Sequence, residues 1–181
     1  MSVIAPPDVR LLDRAVAGVL RNAQIGELPP AAWTLGLPWS EWRMVLDESL
    51  VSVPVSMSEA RFLLMRSSLP PVFRELVDML LEHASPASEA LRTRWAAHLV
   101  AAACLGNRHL WEDLGLSGRA EVTALLDHYF QPLARRRDTS LRWKRFLFLE
   151  LGARRGEAYM RPPGCARCGD FRLCFGDSEN G

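Results

Sequence analysis

The sequence predicts an all-α fold, in which a compact helical domain precedes a C-terminal irregular, Cys-rich, metal-binding extension. Two observations support this prediction. Apolar residues recur at the 3.6-residue spacing of amphipathic helices between about residues 9 and 155, without a convincing pair of strands. After Gly156 this periodicity stops, and three of the four cysteines fall within residues 165–174. We therefore expect a helical domain at residues 1–156 and a Cys-rich metal-binding tail, packed on it, at residues 157–181.

The N-terminal third contains three predicted helices that are separated by breaks. The first covers residues 9–22, the second begins near Trp39, and the third covers residues 58–66. Residues 50–56 alternate in the manner of a strand, but Pro54 interrupts the alternation. Because no partner strand is evident, we expect an extended linker there.

The central helices carry clearer start signals. Two prolines at positions 70–71 precede an apolar stripe over residues 73–81, which predicts an amphipathic helix. Ser85 followed by Pro86 is typical of a helix N-cap and first turn. The helix after it is expected to run to about Leu105. It is apolar nearly all round from Trp95, which indicates the most buried helix of the domain.

Two further helices complete the predicted domain. Ser117 can cap one of them, and Thr139 or Ser140 can cap the last. Residues 154–155 are both arginine, and Gly156 follows them. The helix macrodipole favours cations in the last turn, and glycine favours a left-handed C-cap, so we expect the last helix to end there.

Charge and targeting signals exclude several classes of protein. Lys and Arg number 22 against 21 Asp and Glu, a balance that argues against a general nucleic-acid binder. The N-terminus lacks the basic and apolar regions of a secretory signal. The longest apolar stretch, residues 95–105, is far below the length of about 20 residues that spans a membrane. We expect a cytoplasmic protein, in which clustered cysteines more often bind metal than form structural disulfides.

The cysteine cluster has the pattern Cys165-x2-Cys168-x5-Cys174. A Cys-x2-Cys turn brings two sulfurs close enough for one metal centre, and both iron and zinc accept thiolate ligands. Arginines at positions 161, 167 and 172 are interleaved with the cysteines, and cationic neighbours favour the thiolate form. The sequence therefore predicts a metal site formed by Cys165, Cys168 and Cys174.

The type of site stays open at this point. A zinc ribbon needs a second pair of Cys or His residues, and none follows Cys174, which favours an iron–sulfur centre. The alternatives are a helical zinc- or iron-binding interaction module and a thiol redox protein that uses Cys165 and Cys168. Asp and Glu form no pair that indicates acid–base catalysis, and neither a phosphate loop nor a nucleophile motif is present.

The fourth cysteine and the histidines are assigned by their surroundings. Cys104 follows three alanines on the predicted buried helix, so we interpret it as a core residue. His98 lies on the apolar stripe of the same helix and is also predicted to be a core residue. His109 follows the helix stop at Gly106, in a loop or at a helix start where ligands are usually presented. It is a candidate metal ligand, and the alternative for it is a capping or packing role.

An ordered set of motifs resembles the NifQ family of nitrogen-fixation proteins, most strongly over residues 90–177. The motifs are His109-Leu110-Trp111-x-Asp113-Leu114-Gly115-Leu116, Arg119-Ala120-Glu121 at a helix start, Pro132-Leu133-Ala134, Arg142-Trp143-Lys144-Arg145-Phe146, and the cysteine cluster ending in Cys174-Phe175-Gly176. The resemblance implies a metal carrier rather than an enzyme. It implies a molybdenum–iron–sulfur cluster on Cys165, Cys168 and Cys174, and donation of molybdenum to the iron–molybdenum cofactor of nitrogenase. The implied partners are the scaffold and reductase components of cofactor assembly.

The chain departs from the family pattern at one position. The family has Cys-x4-Cys-x2-Cys-x5-Cys, and Met160 stands where the first cysteine is expected. A thioether is a soft but neutral ligand that cannot replace a thiolate on equal terms. Either three cysteines suffice, or His109 or Cys104 supplies the remaining bond, or cluster binding is weakened in this member. We favour three cysteines, because a cuboidal cluster that is bound on one face needs only three.

Overall fold

The structure is a computed structural model that describes residues 9–49 and 57–175. Within these ranges the chain forms helices and no strand, which confirms the all-α prediction. The helices are α1 (Val9–Gln24), α2 (Trp39–Glu48), α3 (Glu59–Ser67), α4 (Pro71–Glu82), α5 (Ala90–Ala103), α6 (Leu110–Asp113), α7 (Arg119–Tyr129), α8 (Gln131–Ala134), α9 (Trp143–Arg155) and α10 (Phe171–Phe175), with 3-10 helices at Pro30–Thr34 and Cys165–Arg167. Among them no helix has both the length and the apolar character needed to cross a membrane. The linker expected at residues 50–56 lies outside the described residues.

Helix α5 forms the centre of the hydrophobic core. It packs against α1, α4 and α6, and its residues from Trp95 to Ala103 are all buried. His98 is buried among them, and its ring Nδ1 lies 2.8 Å from the carbonyl oxygen of Leu35. The predictions of a central buried helix and of a core histidine are therefore confirmed.

Close packing fixes α6 against α1. A Cβ atom on Gly18 of α1 would lie 2.2 Å from the carbonyl oxygen of Leu114, so only glycine permits this approach. The side-chain amide of Asn22 donates to the carbonyl oxygens of Glu112 and Asp113, at 2.9 and 3.0 Å. These contacts satisfy C-terminal carbonyls of α6 that have no partner inside the helix. The residues just before α6 thereby occupy a fixed position at the edge of the domain.

The predicted N-cap at Ser85 is wrong. Helix α5 begins later, at Ala90, with Glu89 as its N-cap residue. The Ser85 hydroxyl accepts a hydrogen bond from the backbone N–H of Gln131 at 2.9 Å, and its own N–H donates to the carbonyl of Tyr129 at 2.8 Å. Ser85 therefore ties a turn to the junction of α7 and α8, a long-range role that local capping rules do not detect.

Two other predicted caps are displaced by a short distance. Gly118, not Ser117, is the N-cap residue of α7, and the N–H of Ser117 instead donates to the carboxylate of Glu121 at 2.7 Å. Helix α9 is preceded by Arg142, not by Thr139 or Ser140. The side chain of Asp138 accepts from the N–H of Ser140 and forms a separate turn before the helix begins.

The end of α9 matches the sequence prediction, and the tail then returns to the domain. Arg154 and Arg155 occupy the last turn, and Gly156 has a left-handed φ of 71°. The N–H of Glu157 donates to the carbonyl of Gly152 at 2.8 Å, and Arg145 donates to the carbonyl of Met160 at 3.3 Å. The tail is more regular than predicted, because it contains a 3-10 helix and α10. The boundary between domain and tail at residue 156 stays a prediction.

Candidate metal centre

The three clustered cysteines lie on a continuous series of turns at residues 165–174, which we name the cysteine run. Cys165 begins the 3-10 helix, and the N–H of Cys168 donates to its carbonyl at 3.0 Å. The N–H of Phe171 donates to the carbonyl of Cys168, and the N–H of Cys174, on α10, donates to the carbonyl of Asp170, both at 3.0 Å. All three thiols are free and half-buried. Local backbone hydrogen bonds thus hold the cysteines near one another.

Gly164 brings this run into contact with the helical domain. It caps the 3-10 helix with a φ of 78°, in the left-handed region that glycine tolerates best. A Cβ atom at this position would lie 2.5 Å from the carbonyl oxygen of Asn107 and 2.6 Å from its Cα. Asn107 belongs to the turn between α5 and α6, so this contact fixes the position of Cys165 relative to the domain.

The cysteines face a cavity of about 180 Å³, which we name the cysteine cavity. Its walls come from the turn before α6, the first turns of α7, the segment leading into α9, and the tail. Its charged, thiol and imidazole lining residues are Arg108, His109, Arg119, Arg137, Arg142, Lys144, Arg145, Cys165, Cys168 and Cys174. The structure therefore brings Cys165, Cys168, Cys174 and the candidate ligand His109 to the same cavity.

Positive charge dominates this cavity. Six of the lining side chains are Arg or Lys, and no Asp or Glu is among the described residues that line it. Lys144 and Arg145 are buried, and Arg142 immediately precedes them at the start of α9. Because Coulomb interactions strengthen in a poorly solvated site, such a cavity favours anionic contents.

Asp170 fastens the cysteine run to the domain. Its Oδ2 lies 2.8 Å from Nη2 of Arg119 on α7 and 3.4 Å from Nε of Arg142. The same oxygen lies 3.7 Å from Nε2 of His109. One carboxylate, located between Cys168 and Cys174 in sequence, therefore joins the tail to three separate parts of the helical domain.

The thiols of Cys165 and Cys174 are harder to ionise than a free cysteine. Burial has the largest effect and raises the pKa of Cys165, and the neighbouring Cys168 and Cys174 raise it further. Lys144 and Arg145 lower this pKa, but by less. Burial and then Cys168 also raise the pKa of Cys174, against the effects of Arg142 and Arg145. For these two thiols, burial and the neighbouring cysteines outweigh Arg142, Lys144 and Arg145, and the effect of the interleaved arginines 161, 167 and 172 stays a prediction. The opposing cations come from the start of α9.

Lys144, which lines the cavity, belongs to a buried ion pair. Nζ of Lys144 lies 2.7 Å from Oδ2 of Asp113, a fully buried carboxylate that also contacts Arg108 at 3.1 Å. Lys144 additionally donates to the carbonyls of Gly106 and Arg108, at 3.1 and 2.7 Å. All three ammonium protons thus have acceptors, and the turn that carries residues 106–108 is tied to α9.

His109 lies at a helix start and also lines the cysteine cavity. It is the N-cap residue of α6, and its backbone N–H donates to the carboxylate of Glu112 at 3.0 Å. Its side chain lines the cysteine cavity and is about a third exposed. The backbone therefore has a capping role, while the ring lines the cavity with its Nε2 3.7 Å from Oδ2 of Asp170.

Cys104 and Met160 lie elsewhere. Cys104 is completely buried in the core, which confirms its predicted core position, and burial raises the pKa of its thiol to about 12. Met160 packs against the core, and its Cβ lies close to Gly152 of α9. Neither residue is among the described residues that line the cysteine cavity.

The described side chains do not form a preorganised site for a single ion. Among residues 9–49 and 57–175, no group of three or more Cys, His, Asp and Glu side chains is arranged to hold one metal ion. A zinc site needs its ligand atoms to converge at about 2.0–2.3 Å from one point. In an iron–sulfur cluster, by contrast, the thiolates can bind different iron atoms and need not converge on one point.

Sequence reasoning missed the residues that surround the thiols. Asp113, Arg119, Arg142, Lys144 and Arg145 were noticed only as parts of motifs, without a role, and Asp170 was not noticed at all. Their positions are 20–61 residues from the cysteines or, for Asp170, between two of them. Only the tertiary fold brings α6, α7 and α9 to the tail. The position of an acidic residue between two candidate ligands was the one available signal.

Comparison with known proteins places these features in a family. A model of the NifQ family matches residues 15–176. The chain is 45% identical to Protein NifQ of Azotobacter vinelandii over 82 residues, which cover 45% of this chain and 42% of that protein. It is 31% identical to a NifQ homolog of Sinorhizobium fredii over 145 residues, 80% of this chain and 61% of that protein.

Protein NifQ of Klebsiella pneumoniae is a further relative, 35% identical over 80 residues, which cover 44% of this chain and 48% of that protein. The chain thus spans less than two thirds of the length of each of these relatives. No solved structure matches it. Because the family match covers nearly the whole chain, including the helices and cysteines that form the cavity, the chain belongs to the NifQ family.

Proposed function

We propose that this protein takes part in nitrogen fixation as a carrier of a molybdenum–iron–sulfur cluster. Its cargo is bound by Cys165, Cys168 and Cys174, and it donates molybdenum for the iron–molybdenum cofactor of nitrogenase. It acts as a donor and not as an enzyme, in the cytoplasm, and its partners are the scaffold and reductase proteins of cofactor assembly. The observation that carries the proposal is the convergence of three free thiols on one cavity lined by cations.

The donor set fits an anionic cluster. Three thiolates around sulfide-bridged metal atoms give a negative total charge, and burial alone raises the cost of placing that charge in the cavity. Arg142, Lys144 and Arg145 offset this cost, because they favour the ionised form of the neighbouring thiols. Metal coordination then deprotonates a thiol outright, whatever its pKa in the metal-free protein.

The position of the thiols also suits delivery. They are half-buried, and the segment that carries them contacts the domain through the ion pairs of Asp170 and the close approach of Gly164 to Asn107. A carrier needs a site that holds its cargo in transit and opens to a recipient. A thiol triad at the mouth of a cavity, with a fourth position left to a weaker ligand such as His109, meets both needs.

Anaerobic reconstitution tests the proposal. The protein is incubated with iron, sulfide and molybdate under reducing conditions, desalted, and analysed for iron, molybdenum and acid-labile sulfide. We expect all three elements in the wild-type protein. Cys165→Ser, Cys168→Ser and Cys174→Ser should each lose most of the bound iron, because each removes a thiolate from a site with no spare.

Cys104→Ser is the matched control, since it removes a thiol that lies in the core. It should lower stability and leave the iron content of the folded protein unchanged. Zinc as the main metal, without iron or sulfide, would instead support a zinc-binding interaction module. A metal-free protein with a reversible Cys165–Cys168 disulfide would support a thiol redox function, and either result would overturn the carrier proposal.

A further inference from the structure

Four of the six cations of the cysteine cavity are paired with carboxylates, in two different ways. The inner pair, Lys144 and Arg108, contacts Asp113, a buried residue of the helical domain, and Glu27 adds a longer contact of 3.5 Å to Arg108. The carboxylates paired with these two charges therefore belong to the domain itself. The outer pair, Arg119 and Arg142, shares one carboxylate, which comes from the tail.

A single oxygen of this outer carboxylate, Oδ2 of Asp170, contacts two guanidinium groups. Oδ2 of Asp170 lies 2.8 Å from Arg119 and 3.4 Å from Arg142, and the ring of His109 lies 3.7 Å away. Each guanidinium approaches this oxygen through one nitrogen, Nη2 of Arg119 and Nε of Arg142. Arginine carries a planar fork of donors that matches the edge of an oxyanion, so an anion with more oxygens than a carboxylate offers acceptors to further donors of both groups. The contact is partly solvated, since the Arg119 and Arg142 side chains are 49% and 35% exposed.

Size and composition allow such an anion. The cavity has a volume of about 180 Å³. By the same measure one water needs roughly 10–15 Å³, so the cavity has room for an anion that is larger than a water. The carboxylate that stands at this end belongs to Asp170, and it is the group that the anion would replace. Cys165, Cys168 and Cys174 line the same cavity as Arg119 and Arg142, so an anion at the outer end would share the cavity with the thiols.

We propose that the outer end of the cysteine cavity binds a tetrahedral oxyanion dianion between Arg119 and Arg142, and that this anion replaces the carboxylate of Asp170. The proposal rests on the proposed function, since it assigns a molybdate-like anion as the form in which the metal enters. Replacement breaks the contact that joins the segment between Cys168 and Cys174 to α7 and α9. Arrival of the anion is thereby coupled to release of the cysteine run.

Binding of molybdate to the iron-free protein tests this. Isothermal titration with molybdate, and separately with sulfate and phosphate, measures the affinity of the site at low ionic strength. Arg119→Gln and Arg142→Gln should each weaken binding about tenfold, the typical effect of losing one charge-assisted contact. Asp170→Asn should tighten binding several-fold, because it removes the internal competitor. Asp170→Ser is a second variant in case the first folds poorly.

Arg154→Gln is the matched control. This arginine pairs with Glu82 through bonds of 2.6 and 2.7 Å on another part of the surface, and its loss should leave anion binding unchanged. Equal affinity in the wild-type, Arg119→Gln and Arg142→Gln proteins would overturn the site. Unchanged affinity in the folded Asp170 variants would overturn the replacement step. Hydrogen exchange in residues 165–175 should accelerate with saturating molybdate, and slower exchange would also contradict the release.

The result can be separated from that of the carrier experiment. The triple variant Cys165→Ser, Cys168→Ser, Cys174→Ser should bind molybdate as the wild type does, because the arginines remain. If no oxyanion binds although the three thiols load iron, the oxyanion site alone fails. If molybdate binds but iron loading does not depend on the three cysteines, the proposed cluster site alone fails.

Discussion

Nζ of Lys144 lies 2.7 Å from Oδ2 of Asp113, and both side chains are buried beneath the cysteine cavity. The two residues come from α9 and α6, 31 positions apart. Taking both charges out of water is costly, so the pair is a weak argument for stability in itself. Its value is positional, because it connects the turn before α6 to the helix that supplies the cations near the thiols.

Removal of one partner should be strongly destabilising. We expect Asp113→Asn to lower the free energy of unfolding by about 3–5 kcal/mol, since it leaves the Lys144 charge buried without its counter-ion. Urea unfolding of the metal-free protein measures this. Glu82→Gln, which breaks the exposed pair with Arg154, is the control and should have no measurable effect. Equal stability of Asp113→Asn and the wild type would contradict a structural role for the pair.

Gly164 is predicted to be required for loading and not for folding. Gly164→Ala combines a left-handed φ of 78° with a Cβ that would lie 2.5 Å from the Asn107 carbonyl. Because the tail can move away from the domain, the overlap should displace the cysteine run rather than unfold the helices. We expect the iron content after reconstitution to fall several-fold, with little change in the urea midpoint.

Gly169→Ala is the matched control for Gly164. It lies in the same run, next to Cys168, but a Cβ there would meet nothing within 4 Å. Its iron content should equal that of the wild type. Similar losses in the two glycine variants would mean that the close contact with Asn107 is not what positions the cysteines.

The decrease in the free energy of unfolding at acid pH should depend on His98. Burial lowers the pKa of this histidine in the folded state, and the bond to Leu35, together with Glu41, only partly offsets it. The unfolded chain takes up the proton below its ordinary pKa of about 6.5, so stability is lost as the pH falls below that value, by up to about 1.4 kcal/mol per pH unit. His98→Gln should reduce this slope in urea unfolding between pH 7 and pH 5. An unchanged slope would assign the effect to other groups, such as His128, whose pKa burial also lowers.

The helices were predictable because their information is local. Apolar spacing indicated α1, α4 and α5, and the sequence Arg154-Arg155-Gly156 marked the end of α9. Ser85 was misinterpreted because a serine before a proline is typical of an N-cap, whereas this hydroxyl binds the backbone of Gln131, 46 residues away. A short-range rule cannot detect a partner that only the fold supplies.

The candidate site likewise contains residues that local sequence signals predict and residues that only the fold brings together. Cys165, Cys168 and Cys174 were predictable, because thiols at short spacing are unusual and chemically specific. Lys144, Arg145 and Arg119 were not, because a cation on an amphipathic helix is usually a solvated residue. Their role depends on α9 and α7 meeting the tail. The site is therefore local in its ligands and non-local in its charge environment.

His109 is predicted to affect molybdenum more than iron. Its ring lines the cavity beside Asp170, and the three thiols can hold iron without it. His109→Ala should lower the molybdenum-to-iron ratio after anaerobic reconstitution while the iron content stays near that of the wild type. Because the capping bond to Glu112 uses the backbone N–H, α6 should remain formed. An unchanged ratio would return His109 to a purely structural role.

Met160 stands where the resemblance to the family leads us to expect a fourth cysteine, and it is predicted to be dispensable for loading. Its side chain packs near Gly152, outside the described lining of the cysteine cavity. Met160→Ala should lower the free energy of unfolding by about 1–2 kcal/mol, as expected for a partly buried side chain, and should leave the iron content unchanged. Loss of iron in the folded Met160→Ala protein would contradict binding by three thiolates.

Met160→Cys provides the opposite test. The tail must shift for a thiol at this position to reach the cavity, and the Arg145 bond to the Met160 carbonyl is one of the contacts that resists the shift. If the new thiolate reaches the cluster, a fourth charged sulfur should bind iron more tightly than the neutral thioether and slow its removal by a chelator. The measurement is the rate of iron loss to an excess of chelator in Met160→Cys, Met160→Ala and the wild type. Equal rates in all three proteins would show that position 160 stays packed on α9 and that the three cysteines alone determine how firmly the cargo is held.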